Sequence, residues 1–355
     1  MKKILLIIFS FVCLIQPTLA EGVHYFKAEV LEVQDVKDEY MDDRILRVRL
    51  LEGEIDKELD LSLGGQAFNP LRIAEFYRGE TVVVSMLEKS DGTYEYFFNE
   101  KYRLPQVFML FGFFVFLSVF FARGRGVGSL LGLVVSLGIL FLLIIPLIVK
   151  GYSPFYTGLF GCFLIAICSI PLSHGFNKIS AIVLSSILLT LFVSAFFSLF
   201  VVYFTQLFGF GSESAFSAQL SSLASLDFRG VLLVGILLGA LGVLDDVCAT
   251  QARAIYEIKK AGPNLGFKSL FNHGMNVGKE HIFALINTLA LAYSGAFLPL
   301  LLLLYNENLP LWVVLNSEML SEEIVRTILG SISLVLAVPV TNLLASWYFA
   351  KNESK

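Results

Sequence analysis

Two adjacent aspartates, Asp245 and Asp246, interrupt a long apolar stretch in the run Gly242-Val-Leu-Asp-Asp-Val. Asp245 follows Arg229 by 16 residues. That spacing is about 24 Å along a helix, less than the hydrocarbon core of a bilayer, which is about 30 Å thick. A charge at such a depth is costly, and membrane carboxylates therefore usually serve a function. Such a group can exchange a proton or balance a cation, which is the chemistry of ion coupling.

The residues around the aspartates form a polar helix face. Helical spacing places one of the two carboxylates on a stripe that begins with glycines. The stripe contains Gly235, Gly239, Gly242, Asp246, either Thr250 or Arg253, and Glu257. Asp245 points about 100° away, so we expect the two carboxylates to have different partners. The alternative is a helix that ends early, with both aspartates hydrated at the cytoplasmic interface and Asp246 paired to Arg253.

A second polar group opens the sixth apolar segment with His281, followed deeper in the membrane by Asn287 and Thr288. A buried asparagine in lipid needs a partner, so Asn287 either lines a path with the aspartates or bonds a neighbouring helix. We expect His281 at the membrane interface rather than as a metal ligand. Pro299 and Pro339 interrupt the sixth and seventh segments, and each frees a carbonyl that lines a cavity or marks a kink.

A third group begins the seventh segment with Ser321, Glu322 and Glu323. Ser321 suits the N-cap of a helix, and acids suit its first turn. Glu322 precedes Arg326 by four residues, a favourable helical pair. This pattern predicts a structural role, with an outer gate or ion vestibule as the alternative.

The composition indicates the class of protein that holds these three polar groups. Of the 355 residues, 56% are apolar and only 16% are charged, whereas soluble domains carry about 25% charged residues. The net charge of −4 excludes a basic footprint for nucleic acid. The sequence has no Walker A motif and no His-Glu-x-x-His motif, and Gly124-Arg-Gly-Val-Gly-Ser joins two apolar segments instead of following a strand. We therefore expect a membrane protein that is not an enzyme and that binds no metal or cofactor.

Residues 1–20 have the pattern of a secretory signal peptide. Lys2 and Lys3 precede a short apolar run, and Thr18-Leu-Ala predicts cleavage before Glu21. The alternative is an uncleaved anchor, and in either case the segment that follows is exported.

Apolar segments predict a transmembrane domain over residues 104–355, with about seven helices that can each cross a bilayer. The segments are residues 105–122, 127–149, 154–172, 179–205, 230–249, 281–304 and 327–350. An exported N-terminus places the connections after the odd-numbered segments in the cytoplasm. Together with the C-terminus these hold ten Lys and Arg residues, against three in the opposite connections. This asymmetry obeys the positive-inside rule and predicts a multi-pass protein of the cytoplasmic membrane with a cytoplasmic C-terminus.

Residues 21–103 predict a small exported all-β domain. The candidate strands are Tyr25–Val33, Ile45–Leu51, Glu58–Leu63, Glu80–Leu87 and Tyr94–Phe98, and Ser90-Asp-Gly-Thr predicts the last turn. Five short strands fit a small barrel or sandwich, and an OB-like barrel is one such form.

Three blocks resemble the YibE/F family of bacterial integral membrane proteins. They are Gly242-Val-Leu-Asp-Asp-Val with Thr250-Gln251 and Glu257; Asn287-Thr-Leu-Ala-Leu-Ala-Tyr with Leu298-Pro-Leu-Leu; and Glu323-Ile-Val-Arg-Thr-Ile-Leu-Gly-Ser-Ile with Val338-Pro-Val-Thr. Cys248 departs from the small polar residue expected there, and Asn342 departs from a threonine. The resemblance covers residues 105–350 and implies a polytopic membrane protein of largely undefined function.

The residues themselves favour a transporter coupled to H⁺ or Na⁺. The candidate coupling residues are Asp245, Asp246, Thr250, Gln251, Arg253, Asn287 and Thr288. The candidates for a gate or a structural role are Glu257, His281, Glu322, Glu323, Arg326, Pro299 and Pro339. The alternative is an assembly or sensory protein whose exported domain binds a partner. Expected partners are membrane lipid, a small ion or solute, and either a second copy or a protein bound by the exported domain, but no nucleic acid.

Overall fold

The structure is a computed structural model that describes residues 23–37, 42–53, 56–63, 75–89, 92–220, 223, 225–306 and 309–351. The predicted signal peptide and the start of the predicted turn at Ser90 lie outside the described residues. The described residues up to Leu117 form one compact unit, and those from Ser118 onward form another. The export of residues 21–103 stays a prediction.

All five predicted strands are present in the first unit. They are β1 (Val23–Lys37), β2 (Asp42–Leu50), β3 (Glu58–Ser62), β4 (Thr81–Glu88) and β5 (Tyr94–Lys101), in the antiparallel order β3-β2-β1-β4-β5. Alternation sets the two faces of the sheet: Leu46 and Val48 are fully buried, whereas Arg47 lies on the other face and pairs with Asp60 at 2.9 Å. The sheet is a half-barrel, and its OB-like character stays a prediction.

The second unit is helical. Its helices, with the helix that leads into it, are α1 (Leu104–Ile139), α2 (Ile145–Val149), α3 (Pro154–His174), α4 (Lys178–Phe204), α5 (Glu213–Gln219), α6 (Phe228–Ala261), α7 (Phe267–Ala296), α8 (Leu298–Asn306), α9 (Leu311–Asn316) and α10 (Glu318–Lys351), and a π-helical turn at Leu140–Ile144 joins α1 to α2. The glycine-containing run at Gly124, which joins the first two predicted apolar segments, follows a sharp break in the helix at Arg123, where φ is 51°.

Six helical segments of the described chain are long and apolar enough to cross a membrane. The pair α7–α8 makes a seventh when it is counted as one span, although it bends by 62°. The predicted sixth helix over 281–304 is therefore wrong as a single straight element. It begins earlier, at Phe267, and breaks at Phe297, because Pro299 lacks the N–H that would continue the helical ladder. Pro339, by contrast, lies inside an unbroken α10.

Contacts within the helical unit show the directions of its helices. Leu207, Leu232 and Leu329 share one apolar cluster, which marks what we name the Leu207 end of the bundle. The rings of Tyr256 and Phe349 pack with centroids 5.5 Å apart and mark the opposite, Tyr256 end. Both α6 and α10 therefore start at the Leu207 end and run parallel to each other.

α7 runs in the opposite direction between them. Near the Tyr256 end, Asn342 of α10 donates a 2.7 Å hydrogen bond to the Phe271 carbonyl of α7. Nearer the Leu207 end, the Tyr293 hydroxyl lies beside Gly239 of α6 and Gly330 of α10. The bent α7–α8 pair thus carries the chain back to the end from which α10 starts, as a seventh span would.

Candidate functional site

A short helical hairpin places a histidine at the end of α3. Gly175 ends this helix with φ at +82°, a conformation that favours glycine. Asn177 caps α4, since its Oδ1 accepts a 3.0 Å hydrogen bond from the backbone N–H of Ser180. Its Nδ2 donates a 2.9 Å hydrogen bond to the carbonyl of His174. The glycine and the asparagine together fix His174 at this corner.

His174 contacts one of the two predicted carboxylates. Its Nε2 lies 3.0 Å from Oδ1 of Asp245, and the two side chains are 36% and 35% exposed. Leu244 and Val247 are fully buried on the opposite face of α6, which directs Asp245 toward α3. His174 is also in the last turn of its helix, where the helix dipole favours a positive charge. The pair therefore joins α3 to α6 through two titratable groups.

A cleft of about 460 Å³ adjoins this pair, and we name it the Asp245 cleft. Its polar lining consists of Asp245 with the serines Ser129, Ser136, Ser169 and Ser173. Close packing brings the serines together: a Cβ atom on Gly132 of α1 would lie 2.7 Å from Oγ of Ser173. The result is a cavity lined by serines and one carboxylate, with apolar side chains such as Leu133, Ile165 and Leu241 completing its wall.

The sequence reasoning missed both His174 and the serines. His174 lies just beyond the predicted third segment, which ended at residue 172. The serines carried a usable signal, because Ser169 and Ser173 are four residues apart and Ser129 and Ser136 are seven apart. Each spacing places two hydroxyls on one helix face.

Asp246 has different surroundings from Asp245, as the helical spacing predicted. It is exposed, and a Cβ atom on Gly235 or Gly242 of the same stripe would meet nothing within 4 Å. The helix does not end early, since α6 continues to Ala261. Among the described side chains, Asp246 and Arg253 form no ion pair with each other.

The other coupling candidates do not line the cleft. Gln251 is buried and donates a 2.8 Å hydrogen bond to the Gly274 carbonyl of α7, so it joins two helices. Thr250 and Asn287 are exposed. Thr288 donates to the Ala284 carbonyl one turn earlier. Glu257 is also exposed, and Nε2 of His281 is buried without a partner among the described residues.

The glutamates of α10 hold a loop at the Leu207 end, an arrangement we name the glutamate clamp. Oε1 of Glu318 accepts hydrogen bonds from the backbone N–H groups of Phe208 at 2.8 Å and Phe210 at 3.5 Å. Oε1 of Glu322, which is 3% exposed, accepts one from Gly211 at 2.9 Å. These contacts tie residues 208–211 to the start of α10.

The predicted helix start and ion pair near this clamp are wrong in detail. α10 begins at Glu318, so Ser321 lies inside the helix, and its Oγ donates to the Leu315 carbonyl instead of capping the helix. Arg326 pairs with Glu323 at 3.1 Å rather than with Glu322. Burial explains why Arg326 pairs with Glu323: Glu322 is buried against the loop, and Glu323 remains available to the arginine.

Known proteins place the chain in a family without assigning it an activity. No curated protein and no solved structure matches it. The YibE/F-like protein family matches residues 110–351, which include every residue that lines the Asp245 cleft or forms the glutamate clamp. That match spans well over half of the chain and confirms the resemblance carried by the three sequence blocks. The chain therefore belongs to the YibE/F family.

Proposed function

We propose that the chain is a membrane transporter of a small ion or polar solute, coupled to H⁺ or Na⁺ through Asp245. The observation that carries this proposal is the Asp245 cleft itself. A carboxylate and four serine hydroxyls gather around a cavity of about 460 Å³ between apolar helices. This volume is within the range of small-molecule sites, about 300–1,000 Å³.

The partner of Asp245 favours H⁺ over Na⁺ as the coupling ion. A contact of 3.0 Å between Nε2 of His174 and Oδ1 of Asp245 needs a proton between the atoms, because the unprotonated groups repel each other. Nδ1 of the same ring can then gain or lose a second proton while the contact persists. The imidazole thus gives the pair beside the cleft two charge states while the contact is kept.

Charged groups of α6 act on the protonation of His174. Asp246 and Arg253 of α6 lie near enough to act on the charge of His174, and they act with opposite signs. The linings supplied by α1 and α3 are hydroxyl-bearing or apolar. Binding of a solute in the cleft is therefore well placed to change the protonation of the pair, which is the requirement for coupling.

The orientation follows from the charge asymmetry of the sequence. Lys259 and Lys260 lie near the Tyr256 end, which the positive-inside rule assigns to the cytoplasm. The cleft then lies toward the cytoplasmic side of the cell membrane, and the glutamate clamp faces outward.

Ion flux in proteoliposomes tests the proposal. The purified chain is reconstituted with a trapped pH-sensitive dye, and pH or Na⁺ gradients are imposed separately. We expect gradient-driven proton movement in the parent protein and a loss of at least about tenfold in Asp245→Asn, because asparagine keeps the shape of the side chain but cannot exchange a proton.

Asp246→Asn is the matched control, since it makes the same change one residue away and outside the cleft. It should leave the maximal flux, taken over a range of pH, within about twofold of the parent. Normal flux in Asp245→Asn would exclude the coupling role of that residue. Absence of flux under both gradients in the parent protein would overturn the transport proposal.

A second candidate function is partner binding by the β domain. Tyr25, Ser85 and Phe97 lie side by side across β1, β4 and β5, on the face opposite the buried core. Tyr25 is 52% exposed and Phe97 is 37% exposed. Exposed aromatic side chains are typical anchors of protein interfaces, so this row supports the assembly or sensory alternative.

A further inference from the structure

A groove on the helical unit at the Leu207 end lies outside the Asp245 cleft and the glutamate clamp. It has a volume of about 770 Å³ and lies between α3, α4 and α6. Six aromatic side chains line it: Phe155, Tyr156, Phe196, Phe200, Tyr203 and Phe204. We name it the aromatic groove.

The groove runs from the end of α4 into its apolar interior. Phe196 and Tyr203 are seven residues apart on α4, which corresponds to about 10 Å along the helix. Leu233 closes the groove on the side of α6. A cavity of this length and lining suits the upper part of an acyl chain, whereas tyrosines at its mouth are typical of the membrane interface.

A fixed guanidinium lies at the mouth of the groove. Nε of Arg229 donates a 2.7 Å hydrogen bond to the Leu207 carbonyl. The guanidinium carbon lies 4.5 Å from the ring centre of Tyr203 and 4.9 Å from that of Phe208. Among the described residues, its two terminal amino groups have no hydrogen-bond or ion-pair partner. They remain available for an anion, and a guanidinium binds phosphate in a forked geometry.

A carboxylate lies at the same mouth. Asp227 caps α6, with its Oδ1 accepting a 3.1 Å hydrogen bond from the Gly230 N–H, and it also lines the groove. The mouth therefore carries one positive and one negative group within three residues. The complementary ligand has an anionic and a cationic group of its own, joined to apolar chains.

We propose that the aromatic groove is a binding site for one phospholipid with a phosphoethanolamine headgroup. The phosphate binds Arg229, the primary ammonium binds the carboxylate of Asp227, and an acyl chain lies along the aromatic side chains. A phosphocholine headgroup lacks N–H donors for the carboxylate, and a phosphoglycerol headgroup lacks the positive charge. The site is independent of transport, and its test needs no transported solute.

Lipid retention by the full chain tests this proposal. The protein is exchanged into mixed micelles that contain equal amounts of phosphatidylethanolamine, phosphatidylglycerol and phosphatidylcholine, and bound lipids are counted by native mass spectrometry. We expect one retained phosphatidylethanolamine, with about a tenfold preference over the other two lipids.

Two variants separate the contributions of the headgroup contacts. Arg229→Gln should reduce retention of every phospholipid about tenfold. Asp227→Asn keeps the helix cap but should abolish the preference for phosphatidylethanolamine while phospholipid retention persists. Lys150→Gln is the matched control, since it removes an exposed cation outside the groove.

Three outcomes would overturn the proposal. Equal retention of the three lipids by the parent protein would indicate annular lipid only. Unchanged retention and preference in both groove variants would exclude these contacts. A dimer that retains no lipid would assign the groove to a second copy of the chain.

Discussion

The glutamate clamp and the Asp245 cleft use carboxylates on long apolar helices in opposite ways. Glu318 and Glu322 accept hydrogen bonds from backbone N–H groups, which neither titrate nor exchange partners while the loop is folded. Asp245 instead contacts an imidazole beside an open cavity. The partner of a membrane carboxylate therefore indicates its role: a backbone partner indicates architecture, and a titratable partner indicates chemistry.

The largest expected effect concerns the sides of the membrane on which the two ends lie. In a cysteine-free background, single cysteines at Thr205 near the Leu207 end and at Asn306 should react with an impermeant thiol reagent in intact spheroplasts. Cysteines at Lys178 and Lys260 should react only after the membrane is opened. All four positions are exposed within the helical unit, which makes them matched probes. Reaction of Lys178→Cys in intact spheroplasts would reverse the orientation of the two sites.

The next effect concerns the stability of the helical unit. Glu322→Ala leaves the Gly211 N–H without its partner in a buried position and should lower the free energy of unfolding by about 1–3 kcal/mol. Glu322→Gln retains an acceptor oxygen and should lose less. Thermal unfolding in detergent measures both variants, with Glu280→Ala, an exposed change on α7, as the control. Equal stability of Glu322→Ala and the parent would remove the architectural role of the clamp.

Much of the fold could be predicted because its patterns repeat over many residues. Short strand-like runs between turn residues gave the five strands, and long apolar runs gave the helices. The break at Phe297 could not be located, because a proline permits either a kink or a cavity and the polar first turns of α7 concealed its start at Phe267. Which helices pack against each other could not be predicted either, because this depends on contacts between residues far apart in sequence, such as Phe271 with Asn342.

Only part of the candidate site could be predicted. The sequence identified Asp245 because a charge in an apolar stretch is conspicuous. It could not identify His174, because the role of this residue depends on its contact with Asp245, which lies 71 residues away along the chain. The pairing of Arg326 was also missed, because it depends on which glutamate faces the loop, and that in turn depends on the early start of α10 at Glu318.

The smallest expected effect concerns Asp246 and Arg253, and it tests whether the assignment by partner holds within one pair of adjacent carboxylates. Both side chains are exposed and share no ion pair, so Asp246→Asn and Arg253→Gln should each change the free energy of unfolding by less than about 0.5 kcal/mol. The double variant should be additive within about 0.5 kcal/mol, measured by thermal unfolding in detergent.

The same variants also test the role of His174, because Asp246 and Arg253 act on its charge with opposite signs. Removal of the negative charge of Asp246 and removal of the positive charge of Arg253 should therefore shift the pH dependence of flux in opposite directions. The profile of the double variant should lie between those of the two single variants, while stability remains constant. A coupling energy above about 1 kcal/mol between the two residues would instead show a structural pair. In that case, Asp246 would be architectural with Arg253 as its partner, and exposure of a carboxylate would not be enough to exclude a structural role.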